Sequence, residues 1–127
     1  KQGGFLTAKV YLNIGFAVVL GENSKTGWFL FDAKMNEWTL LENQEFIALV
    51  DGHRYMGEGV MRETDTKVEG YDVMCYEEMH VQFDMDLLHL MAKATTIKIR
   101  VGGTDFVLAP EVLAELKDLS KAVDAVA

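Results

Sequence analysis

Apolar and polar side chains alternate with a period of two along most of this chain, the spacing that puts one face of a β-strand inward and the other outward. From Leu6 to Leu20 the even positions are Leu6, Ala8, Val10, Leu12, Ile14, Phe16, Val18 and Leu20, against Thr7, Lys9, Tyr11, Asn13 and Gly15. That run is long for one strand, so a bend or a broken hairpin is expected near Asn13 or Gly15. After a polar turn over Gly21 to Gly27, the pattern predicts aromatic-rich strands over Trp28 to Phe31 and Glu37 to Leu41, joined by Asp32 to Asn36. Glu45 to Val50 then leads into Asp51-Gly52, a pair suited to a tight type I′ turn, and a returning strand over His53 to Met61. The charged stretch Arg62 to Gly70 predicts an exposed connection or a ragged sheet edge.

Tyr71 to Phe83 alternates again, with Tyr71, Val73, Cys75, Met79, Val81 and Phe83 on the apolar side and Asp72, Met74, Tyr76, Glu78, His80 and Gln82 on the other. Glu77 falls on the apolar side. An unpaired buried carboxylate is costly, so a β-bulge at Glu77-Glu78 or an edge position is expected. Asp84 then suits a helix N-cap, and Leu87, Leu88, Leu90, Met91 and Ala94 recur at helical spacing, predicting a short helix near 84–94. Thr95 to Val101, Gly102-Gly103 and the strand through Phe106 and Leu108 predict a second hairpin. Pro110 opens a C-terminal helix near 110–124, with Val112, Leu113, Leu116, Leu119 and Val123 as its apolar stripe.

No fixed repeat and no linker-like segment divides residues 1–127, which predicts a single domain. The expected fold is mainly β (α+β): an antiparallel β-sandwich or flattened barrel of about eight or nine strands, with the two helices packed on it.

Composition narrows the function classes more than it identifies one. The chain has 127 residues, half of them apolar, with 12 Lys or Arg against 20 Asp or Glu and a net charge of −8. So acidic a chain is unsuited to neutralising phosphates, and nucleic acid is excluded as an expected partner. Phe16 to Leu20 is the longest unbroken apolar stretch, far short of the roughly 20 residues of a membrane-spanning helix, so no transmembrane segment is predicted.

The last third resembles a pattern found in small bacterial β-sandwich domains of no assigned activity, several of which resemble exported or lipid-anchored proteins. The residues that carry it are LLHLMAKA (Leu87 to Ala94), TTIKIRVGG (Thr95 to Gly103), DFVLAPE (Asp105 to Glu111) and the closing amphipathic helix, over roughly residues 84–123. The resemblance implies the fold above and a periplasmic or envelope location, but no reaction. The sequence departs from the pattern at Ala109, where a Ser or Thr cap is usual.

Candidate chemistry is sparse. Tyr76, Glu78 and His80 share one strand side, where a carboxylate can orient an imidazole; with Tyr55 they form the candidate ligand-binding set. The bland reading is a solvent-facing polar row. His53 follows a turn, and His53, His80 and His89 lack the spacing of metal ligands, so neither a metal nor a cofactor is predicted. Cys75, the sole cysteine, reads as a packed, inert thiol. Outward Met56, Met74 and Tyr76 are candidates for an adhesive patch. The function expected from this set is a non-catalytic protein-interaction or structural module, contacting a protein partner or a second copy of itself. The alternative is a small-ligand-binding domain or weak enzyme with a site near Tyr76, Glu78 and His80.

Overall fold

The computed structural model describes residues 11–126. In chain order its elements are β1 (Tyr11–Leu20), β2 (Lys25–Met35), β3 (Glu45–Val50), β4 (His53–Glu58), β5 (Val60–Glu69), β6 (Asp72–Phe83), α1 (Met85–Lys93), β7 (Ile97–Val101), β8 (Thr104–Val107) and α2 (Pro110–Asp124). The eight strands form two antiparallel four-stranded sheets, sheet A in the order β1-β2-β6-β5 and sheet B in the order β4-β3-β7-β8. Neither sheet closes on itself, so the architecture is the open sandwich of the two expected forms.

Period-two patterning builds the core directly. Phe29, Phe31 and Ala33 of β2, Met79, Val81 and Phe83 of β6, Phe46, Ala48 and Val50 of β3, and Ile97, Ile99 and Val101 of β7 are all buried. The sheets meet through aromatic rings: Phe46 lies 4.6 Å from Phe29 and 5.8 Å from Phe31, centroid to centroid. Phe16 of β1 meets Phe29 edge-on at 5.5 Å. Leu88 and Met91 of α1 and Leu116 and Val123 of α2 join the same cluster, the expected stripes of both helices. Asp84 caps α1 by accepting from the Leu87 N–H at 3.0 Å, whereas Ala109 leaves the start of α2 without a side-chain cap.

Both predicted hairpin turns are present. Asp51 (φ 48°) with Gly52 (φ 85°), and Gly102 (φ 57°) with Gly103 (φ 78°), hold the positive dihedrals of a type I′ turn. The Asp51 carboxylate accepts from the Thr95 N–H, the Thr96 N–H and the Thr95 hydroxyl at 2.9–3.0 Å, pinning this turn to the chain entering β7.

Five expectations are corrected. Pairing of β1 with β2 runs without a break from Tyr11↔Lys34 to Leu20↔Lys25, so there is no interruption at Asn13 or Gly15; residues 6–10 of the expected strand lie outside the described residues. The predicted strands at Trp28 to Phe31 and Glu37 to Leu41 are instead one long β2 followed by a loop over residues 36–44, because the loop's N–H groups have a side-chain partner rather than a strand. That partner is Glu77. Its carboxylate accepts from the Thr39 N–H at 2.9 Å and the Leu41 N–H at 2.5 Å, while Leu40 between them is fully buried. Register through Ala33↔Glu77 and Asp32↔Glu78 is regular, so the bulge expected at Glu77-Glu78 is absent there and falls on the neighbouring strand, between Met61 and Glu63 of β5.

The strand expected over His53 to Met61 is two strands in different sheets, divided at Gly59. A Cβ at Gly59 would sit 2.1 Å from Sδ of the buried Met79, which is the physical reason the crossing uses glycine. Tyr71 and Val73 are exposed (107% and 54%) rather than inward, because the tip of the β5–β6 hairpin is not covered by another layer among the described residues. The charged stretch from Arg62 is the edge strand β5, exposed along nearly its whole length.

Candidate functional site

Tyr76, Glu78 and His80 stand on the outer face of sheet A, each half-buried. His80 Nε2 lies 3.3 Å from Glu78 Oε2, the carboxylate–imidazole contact expected from their spacing. The Trp28 ring lies 6.3 Å from the imidazole across the β2–β6 pair. Tyr76 is turned the other way: its hydroxyl donates to Glu69, which also pairs with Lys34 at 3.0 Å. The ammonium groups of Lys34 and Lys67 lie 5.5 Å and 5.0 Å from the Tyr76 ring centre, within cation–π range. The hydrogen bond to Glu69, then burial, raises the Tyr76 phenol above its ordinary pKa; the same Glu69 carboxylate raises the Lys34 ammonium. A shallow depression of about 220 Å³ over this face is lined by Asp32, Glu63, Asp65, Lys67, Tyr76 and Glu78. Tyr55 is elsewhere: it pairs with Ala48 in sheet B, its side chain packed against the core. Three of the four candidate residues therefore share a face, and the fourth does not reach it.

The other candidates are dispersed. His89 on α1 bonds Asp124 of α2 at 2.8 Å, tying the two helices together, and His53 begins β4. Among the described residues no group of three His, Cys, Asp or Glu side chains is placed to hold a metal ion. Cys75 is buried, and burial, followed by the charges of Glu77 and Glu37, raises its thiol pKa. Met56 is exposed on β4, Met74 is buried and Tyr76 belongs to sheet A, so the three do not form one patch.

The larger concavity lies on the outer face of sheet B, where the sequence reading placed no site. Register sets Ile47 between Met56 and Arg100, and Leu49 between Arg54 and Lys98; Asp105 lies beyond Arg100 and Val107 beyond Lys98. The result is a hollow of about 600 Å³ with an apolar floor of Ile47, Leu49 and Val107 and cationic walls of Arg54, Lys98 and Arg100. Arg100 is held by a two-point ion pair to Asp105, Nε to Oδ1 at 2.6 Å and Nη2 to Oδ2 at 2.9 Å. The pair raises the guanidinium pKa and lowers that of the carboxyl. Arg54 and Lys98 make no ion pair within 4 Å among the described residues. The sequence did carry a signal for this site: Lys98 and Arg100 alternate with buried isoleucines, and Ile47 and Leu49 occupy the outward phase of β3, where polar residues are usual.

Comparison of the chain with known protein families, with curated proteins and with solved structures found no match.

Proposed function

We propose that the domain is a non-catalytic interaction module whose docking surface is the outer face of sheet B. The partner is a protein segment carrying carboxylates beside apolar side chains. The observation that carries this reading is the 600 Å³ hollow, where three cations of a chain with net charge −8 surround an apolar floor and only Asp105 among its lining residues opposes them. Apolar floor gives contact area, and like charge on the rest of the surface disfavours misplaced encounters with an acidic partner. An envelope location, which the resemblance of the C-terminal third implies, belongs to the same proposal and is tested by cell fractionation.

The test is a titration of the labelled domain with a peptide of alternating Glu and Leu, followed by backbone amide shifts, beside its Lys/Leu counterpart. Shifts confined to residues around Ile47, Leu49 and Val107 are expected with the Glu/Leu peptide, together with an affinity loss of about tenfold in Lys98→Glu, worth about 1.4 kcal/mol. Equal binding of both peptides, or no shift on sheet B, overturns the reading. A second reading, a small-ligand site on sheet A, is favoured by the 3.3 Å His80–Glu78 contact beside Trp28. It requires a compound that quenches Trp28 and loses that effect in His80→Ala.

A further inference from the structure

The edge of β4 that faces away from β3 holds a pattern that nothing among the described residues uses. Across the tight Asp51-Gly52 turn, Val50 and His53 form the hydrogen-bonded pair, so the odd positions of β4 direct their N–H and C=O groups toward β3. The Gly59 N–H, bonded to the Gln44 carbonyl at 2.9 Å, continues that phase beyond the strand end. The backbone groups of Arg54, Met56 and Glu58 therefore point away from β3, at an edge that pairs with no other strand among the described residues. All three side chains are exposed, Met56 at 63%.

We propose that this edge pairs with the same edge of a second copy, antiparallel and centred on Met56, joining the two B sheets into one continuous sheet. In that register Met56 faces Met56 of the second copy, Arg54 faces its Glu58, and Glu58 faces its Arg54. All three are hydrogen-bonded pairs, because all three residues carry edge-facing backbone groups. Opposite charges directly across from one another support a strand pair. Sliding by two residues in either direction keeps the backbone bonds in phase but sets Met56 against Arg54 or Glu58 and loses both ion pairs. Charge therefore selects one register, and a second copy of this chain is the occupant that satisfies it.

Of the other edges, β1 (Tyr11–Leu20) carries no charged residue, so it offers no ion pair to fix a register with a second copy. β5 carries Arg62, Glu63, Asp65, Lys67 and Glu69 and an irregularity between Met61 and Glu63, which are devices that blunt an edge against pairing. β8 spans only Thr104–Val107. The six residues of β4 contain no proline, no lysine and no bulge.

The inference deepens the interaction-module reading, on which it rests, by naming one partner. Its test uses no peptide, so the pairing and the hollow fail separately. Sedimentation of the full chain over a concentration series is expected to show a reversible dimer of twice the 14.2 kDa chain mass. Arg54→Glu and Glu58→Arg, each alone, are expected to weaken dimerisation at least tenfold, and the double exchange to restore it. Restoration separates the ion pairs from a general loss of folding. Met56→Pro, which removes an edge-facing N–H and no hydrogen bond to β3, is expected to be a folded monomer by circular dichroism, with sedimentation reading the loss of the dimer. A wild-type chain that stays monomeric into the millimolar range overturns the proposal. So does a dimer indifferent to Arg54→Glu, or single variants that the double exchange does not rescue.

Discussion

Replacing Glu77 by glutamine perturbs a single oxygen, and the structure sets what that oxygen is worth. Both carboxylate oxygens accept: one from the Thr39 N–H at 2.9 Å, the other from the Leu41 N–H at 2.5 Å, and the side chain is 3% exposed. Glutamine has nearly the same shape but offers one acceptor and one donor, so one loop N–H must face an NH2 group. A hydrogen bond to a charged group contributes about 1.5–3 kcal/mol, and a buried group left unmatched costs about 1–3 kcal/mol. Leu41 is itself exposed, so water can reach that N–H and the lower part of the range applies. The expected loss is about 2 kcal/mol for Glu77→Gln and about 3–4 kcal/mol for Glu77→Ala, which forfeits both bonds. Urea unfolding followed by circular dichroism measures it; with a slope of about 1–3 kcal/mol per molar, the glutamine midpoint falls by about 1 M. Glu78→Gln, one residue along on the outer face, serves as the control and is expected to stay within about 0.5 kcal/mol of wild type. Equal midpoints for Glu77→Gln and Glu78→Gln would refute the claim that Glu77 anchors the loop.

Further expectations follow from the same geometry. Phe46→Ala removes the ring that bridges the two sheets through Phe29 and Phe31 and is expected to cost about 3–5 kcal/mol in the same urea assay; a loss under about 1 kcal/mol would mean the sheets are held elsewhere. Ala109→Ser supplies the missing cap of α2 and is expected to stabilise by about 0.5–1 kcal/mol, read calorimetrically as a Tm rise of about 2–4 °C. The bond from the Thr96 N–H, followed by that from the Thr95 hydroxyl, holds the Asp51 carboxyl below its ordinary pKa of 3.8. A depressed folded-state pKa contributes stability that is present above the unfolded value and lost as pH falls through the folded one. Asp51→Asn keeps the turn and an acceptor oxygen but no titrating group. Its stability is expected to fall less steeply than that of wild type below about pH 4, and parallel curves would contradict the assignment.

Much of this fold is legible in the residue order because its signals are local. Asp51-Gly52 and Gly102-Gly103 declare their turns through the positive dihedrals that glycine tolerates, and Asp84 and Pro110 mark where helices begin. Alternation in β6 identifies its inward set from Cys75 to Phe83, Glu77 included, but not the exposed Val73 or the buried Met74. The Glu78–His80 contact was equally readable, since two residues at i and i+2 on a strand must share a face.

Tertiary structure alone decided the rest, because periodicity records which side of a strand is apolar but not which strand lies beside it. The partners of Glu77 are backbone groups of Thr39 and Leu41, far back along the chain and carrying no side-chain signature. The change of sheet at Gly59 depends on how closely Met79 approaches from another strand, and Tyr71 and Val73 are exposed because no layer among the described residues covers the hairpin tip. The hollow of sheet B gathers residues from four strands, and Tyr55 is separated from Tyr76 because β4 and β6 belong to different sheets. Alternation and turn chemistry are set by neighbours a few residues away, so the sequence by itself determines them. Pairing order and sheet membership are set by contacts between distant segments, and only the folded chain selects among them.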